Sequence, residues 1–187
     1  MSLSALRHAW LKFALLAGLG VSAALPARAA NDLILRIEGT AGIAVPGEST
    51  ITNHVGEIDA LSFSWGVARN GTATGSSVNA QQLTLTKRLD KASPPLMLAV
   101  FQGTHFQRVK LFVRTQGANP LDYFVITMQD VVVMSCQPSG SADGTILESI
   151  SLSMGTIVFD YQPLNPDGTA NGAKVTAGWN ITTNQKI

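Results

Sequence analysis

Cysteine occurs once in the 187 residues, at position 136. A single thiol excludes an intrachain disulfide framework and any cysteine-rich zinc module. Charge is scarce too: 13% of residues are Asp, Glu, Lys or Arg, against about 25% in an average domain. The 13 basic and 12 acidic residues nearly cancel, leaving a formal charge of +1. That balance offers neither a basic footprint for nucleic acid nor an acidic tail. Aromatic residues are only 6% of the chain, yet 45% is hydrophobic, too apolar for a disordered protein. These shortages leave a globular, weakly charged domain that needs no disulfide.

The apolar run Phe13–Leu25 has 13 residues, short of the about 20 that cross a bilayer. Arg7 and Lys12 precede it, Pro26 breaks it, and Ala27-Arg28-Ala29 follows with small residues at two spaced positions. This order reads as a secretory signal peptide over 1–29, cleaved before Ala30. Removing 29 of the 187 residues leaves 158, in which ten basic residues face twelve acidic ones. A chain of that size buries roughly 68–70% of its unfolded surface. Residues 30–187 are therefore expected to fold as one domain.

From Asn31 onward the dominant period is two. Leu33, Leu35 and Ile37 alternate with Ile34 and Arg36. Leu61, Phe63, Trp65 and Val67 alternate in the same way, and again Leu83 and Leu85. Val109, Leu111 and Val113 follow, then Ile150, Leu152 and Met154. This pattern predicts half-buried antiparallel strands. Tyr123–Cys136 is apolar at both parities, which predicts a central strand covered on both faces and bent at Gln129-Asp130. Clusters of Gly, Asn, Asp, Ser and Pro separate the runs and supply turn chemistry.

One segment departs from the period. Ser93–Gly103 opens with a candidate N-cap serine and two prolines and closes on glycine, which predicts a short helix. Leu96, Met97, Val100 and Phe101 fall at helical spacing and are expected to form its buried stripe, with Phe101 contributing most. Many strands and one helix predict a mainly β fold, a barrel or a two-sheet sandwich with one flanking α-helix.

Chemistry-bearing motifs are few. His54 and His105 belong to no metal-ligand spacing, and each reads as a loop or helix-flank histidine. Cys136 reads as a small buried hydrophobe. Glu57 and Asp59 lie two apart, so on a strand they share a face. Paired carboxylates serve glycoside hydrolysis, but here they read as a solvated or interface edge. Phe63, Trp65 and Trp179 read as core. G-x-S-x-G, P-loop and G-x-G-x-x-G patterns are absent. No catalytic, cofactor or metal residue is assigned, and a part in an assembly is expected instead of an enzyme.

Several runs then resemble a known family. Gly47-Glu-Ser49, His54-Val-Gly-Glu-Ile58 and Leu61-Ser-Phe-Ser-Trp-Gly66 come first. Leu83–Met97, with its Ser-Pro-Pro-Leu-Met helix start, comes next. Tyr123–Met128, Phe159–Pro163 and Gly178–Ile181 follow. Their order from about Asp32 to Asn184 resembles the Hcp (haemolysin-coregulated protein) family, the tail-tube subunits of type VI secretion systems.

The resemblance implies a β-barrel of two antiparallel sheets with one short flanking helix. It also implies a hexameric ring that stacks into a tube, with spike protein, sheath and small effectors in the lumen as partners. Nucleic acid and a stable membrane anchor are not implied. The Gly39–Gly56 loop matches the family's extended loop, so Val45, Pro46, Gly47, Glu48, Ser49 and His54 are expected at a ring-to-ring contact. The leader departs from the family pattern, because the sheath assembles in the cytoplasm. It implies a periplasmic or extracellular protein, either a tube subunit or an exported partner-binding domain or effector of the same fold.

Overall fold

A computed structural model describes residues 30–39, 45–71, 77–142 and 144–187. The leader read over 1–29 lies outside them, as does the middle of the extended loop. The chain order is β1 (Asn31–Glu38), β2 (Ile58–Ser64), β3 (Val67–Asn70), β4 (Ser77–Ala80), β5 (Leu83–Arg88), α1 (Ser93–Gln102), β6 (His105–Thr115), β7 (Asp122–Ser139), β8 (Leu147–Tyr161), β9 (Val175–Asn180) and β10 (Gln185–Lys186).

Two antiparallel sheets result. The large one runs β10-β9-β8-β5-β2-β1-β6-β7, and β7 pairs again with β8, which closes six of its strands into a barrel. Long β8 makes this possible. Its first half pairs with β5 (Leu152 opposite Leu83), and its second half pairs with β9 (Ile157 opposite Trp179). The β3–β4 hairpin is the second, two-stranded sheet. Closure removes most open strand edges, the usual route by which strands recruit unwanted partners.

Inside lie Leu35, Ile58, Leu83, Leu85, Val109, Leu111, Ile126, Met128, Ile150 and Leu152. They come from alternate strand positions, as the period predicted. Phe63, Trp65 and Trp179 pack on this core but are only half-buried. The run Leu61–Val67 is not one strand. Register shifts between Ala60 and Ser62, Leu61 turns outward, and Val67 already belongs to the second sheet. β7 bends where expected, with Asp130 in the left-handed region at φ 51°. Its outer face is only partly covered, and Met134 is exposed.

The helix forms, with two corrections. Residue 92, an alanine, holds the N-cap position and makes no side-chain cap. Ser93 is displaced from that role because its hydroxyl is drawn into a buried charge cluster. The Asp90 carboxylate instead accepts from the Ala92 N–H at 2.9 Å and shapes the turn. Gly103 caps the C-terminus at φ 60°, as predicted.

The stripe is the second correction. Leu96 and Ala99 are the buried apolar positions, Met97 and Val100 are partly covered, and Phe101 is 88% exposed. Phe101→Ala should therefore leave the urea midpoint nearly unchanged, within about 0.5 kcal/mol. A loss of several kcal/mol in a urea melt would return Phe101 to the core.

Candidate assembly site

The segment 45–57 enters β2, irregular over 45–50 and turning over 51–57. Val45, Gly47 and Ser49 are buried, and Pro46, Glu48 and Thr50 are exposed. Backbone bonds fold it into a tight return: Gly47 N–H to Gly56 O at 2.8 Å, Ser49 N–H to Glu57 O at 2.9 Å, and Gly56 N–H to Ser49 O at 2.9 Å. Gly56 turns at φ 80° and Asn53 at φ 71°, conformations that suit glycine and asparagine. Glycine is required at 47 for another reason. A Cβ there would sit 1.9 Å from the Glu57 carbonyl oxygen.

His54 fixes this return to the barrel. It is 2% exposed, and both ring nitrogens meet carboxylates. Nδ1 lies 2.9 Å from Glu57 Oε2, and Nε2 lies 3.2 Å from Asp122 Oδ2. Both nitrogens donate only in the imidazolium form; a neutral ring turns one lone pair toward an acceptor. Arginines complete the chain: Arg36 on β1 reaches Glu57 at 2.6 Å, and Arg114 on β6 reaches Asp122 at 2.6 Å. The Phe112 ring packs 4.7 Å from the imidazole, and Arg36 stands 5.0 Å above that same ring. One loop histidine thus ties together β1, β6 and the start of β7.

The expected site residues separate into two sets. Val45, Gly47, Ser49 and His54 are anchors, and Pro46 and Glu48 are presented outward. Arg36, Arg114 and Asp122 were missed, since nothing in the sequence marks a contact between positions 54 and 122. Glu57 and Asp59 do not act together: Glu57 turns to Arg36 and His54, while Asp59 is exposed. His105 opens β6 and bonds Asp130 at 2.7 Å on the surface.

The loop also proves part of the fold. Deleting Ile43–Thr50, which on sequence grounds should leave the melting temperature within a few degrees, removes three buried positions and the backbone return. We expect the deletion to lower the midpoint of thermal unfolding by roughly 5–10 °C, as a loss of about 2–3 kcal/mol does at this size. Circular dichroism melts decide it; a midpoint equal to wild type would mean the loop merely rests on the barrel.

A second polar cluster lies under α1. Lys87 and Glu148 are both fully buried and paired at 2.7 Å. Lys87 Nζ also meets Asp90 at 2.6 Å, and donates to Ser93 Oγ at 3.0 Å and the Arg88 carbonyl at 2.8 Å. Ser93 donates to Glu148 at 2.5 Å. Cys136 lies beside this cluster, its Sγ 3.7 Å from Glu148. It is half-buried, not fully buried as expected. Burial first, and then the negative Glu148, push its thiol up to about 11. Thiolate is the reactive form. At pH 8 Cys136 should therefore react slowly with a disulfide reagent, and urea should speed the reaction at least tenfold; equal rates would contradict the assigned environment.

The geometry defines a class first: a closed six-stranded β-barrel with one short helix and a loop anchored to it through a buried histidine. The profile of the family described as "Type VI secretion system effector, Hcp" matches residues 34–161. Protein hcp1 of Pseudomonas aeruginosa is 37% identical over 148 residues, 75% of this chain and 91% of that protein. The same organism's "Major exported protein" is 26% identical over 119 residues, covering 59% and 69%. The crystal structure of Hcp1 from Salmonella typhimurium superposes with a TM-score of 0.70 at 32% identity, covering 84% of this chain and 99% of that one. The chain belongs to the Hcp family and is a tube subunit of a type VI secretion system.

Proposed function

We propose that the chain closes into a hexameric ring, that rings stack into a tube, and that the 45–57 segment makes the ring-to-ring contact. One observation carries this reading. Alternation along the segment buries Val45, Gly47 and Ser49 and holds Pro46, Glu48 and Thr50 outward on a base tied to the barrel through His54. A loop so fixed meets a neighbour with little ordering cost. A head-to-tail contact either closes a ring or propagates as a filament, and a tube needs both kinds. Small effectors ride in the lumen, and spike and sheath are the remaining partners.

Analytical ultracentrifugation of residues 30–187 tests the ring. A species near six protomers is expected, and a strict monomer at about tens of micromolar, a range where weak assemblies still form, would overturn it. Glu48→Lys should abolish stacked tubes in electron micrographs and leave single rings; undiminished tubes would move the contact elsewhere. Export is proposed to proceed with removal of 1–29. N-terminal sequencing of the secreted protein should then begin at Ala30, and an intact Met1 would refute cleavage.

A further inference from the structure

Lys87 and Glu148 stand directly opposite each other on β5 and β8. Both are fully buried, and Lys87 Nζ lies 2.7 Å from Glu148 Oε2. The same Nζ lies 2.6 Å from Asp90, whose side chain is 11% exposed. The Ser93 hydroxyl accepts from Nζ at 3.0 Å and donates to Glu148 Oε2 at 2.5 Å. One ammonium thus faces two carboxylates, with a hydroxyl bridging it to one of them. Even an equal buried pair is a weak source of stability, because desolvation offsets the attraction. The second carboxylate has no use in such a pair. It has one in a condensation, where an amine attacks one carboxyl group and another carboxylate takes up the amine's proton.

We infer that Lys87 and Glu148 condense in the folded chain to an amide, a cross-link between β5 and β8. A bond forms between Lys87 Nζ and Glu148 Cδ. The Cδ–Oε2 bond breaks, and its electron pair leaves on the oxygen. Two of the three ammonium protons leave with that oxygen as water, and the third stays as the amide N–H. Asp90 takes the first proton and frees the lone pair of Nζ. Ser93 passes a proton from Nζ to Oε2 and steadies the negative charge that builds there. Ammonium and carboxylate thus give amide and water, with no oxidant, reductant or co-reactant. Cross-strand pairing holds the two groups in contact, as an effective concentration of about 10⁵ M or more does. Exclusion of water from the site protects the amide from hydrolysis. The ion pair is the state before reaction, and the cross-link accumulates as the folded chain ages. Every group named lies within one protomer, so the inference does not depend on the ring-and-tube reading.

Intact-mass spectrometry of the purified protein, sampled through days of storage at neutral pH, should show a growing species lighter by one water. Tryptic mapping should find residues 70–88 joined to residues 115–174, because an acylated Lys87 is not cut and carries the peptide of Glu148. Lys87→Arg keeps the cation but cannot form this amide, and it should keep its full mass. Asp90→Asn should slow the loss of water about a hundredfold, the lower end for removing a general base. Circular dichroism confirms that both variants are folded. Full mass in the wild-type protein throughout storage would overturn the proposal. So would a bond mapped to Asp90, joining residues 70–88 to 89–91. A loss of water that persists in Lys87→Arg would overturn it too, as dehydration of an Asp-Gly pair would produce.

Discussion

Lys87→Met should destabilise the barrel by about 3–5 kcal/mol, the cost of stranding one partner of a buried ion pair. A domain holds only about 5–15 kcal/mol in total. Lys87 lies on β5, Glu148 on β8, and Ser93 opens α1, so one ammonium joins three elements. Without it, Glu148 is fully buried with a negative charge, and Asp90 loses the same cation. The double variant Lys87→Met with Glu148→Leu should recover most of the loss, since apolar replacement of a whole buried pair is often neutral or better. Urea melts of the two singles and the double form a mutant cycle with a coupling of 2 kcal/mol or more, in the range for contacting groups. A single Lys87→Met variant that melts like wild type would remove this cluster from any account of how α1 is held.

The barrel was largely legible in the residues, because a period of two states which face is buried without reference to any partner. Leu83 and Leu85, or Ile150 and Leu152, announce themselves in this way. The helix ends were legible for a similar reason, since proline and glycine act locally. Its buried face was not. Leu96 to Phe101 is an unbroken apolar run, so helical spacing allows several stripes. The choice of Leu96 and Ala99 belongs to the surface of β7 beneath them, where α1 packs. Phe101 then falls outward. The serine was misassigned on the same principle: Ser93 suits an N-cap in isolation, but two buried charges outbid the helix for its hydroxyl.

The clamp around His54 was the least legible part. Its members sit at positions 36, 54, 57, 114 and 122, and only His54 and Glu57 are near neighbours. The pairing of β1 with β6 and of β6 with β7 brings the others together. Charge complementarity across that distance leaves no local periodic trace.

The second large effect is expected at Gly47, which the sequence singled out and the structure explains. Gly47→Ala places a Cβ 1.9 Å from the Glu57 carbonyl oxygen, 2.3 Å from its carbon and 2.6 Å from the Ile58 Cα. These are backbone atoms at the entry to β2, so no side-chain rotation relieves the overlap. The same carbonyl accepts from the Ser49 N–H. The return must open, and the buried His54 beside it must readjust. A cost of about 3 kcal/mol is expected, the upper end for overpacking. At this size that lowers the melting midpoint by roughly 6–12 °C. Gly56→Ala is the matched control: φ is 80°, but nothing lies within 4 Å of the added carbon. It should cost only the about 1–2 kcal/mol of left-handed strain. Below the midpoint of Gly47→Ala, the barrel should persist as rings, with stacking lost as the segment detaches. Two glycines nine residues apart would thus separate steric contact from backbone strain. A Gly47→Ala variant that melts with wild type and still forms tubes would show that the chain does not approach β2 as closely as described.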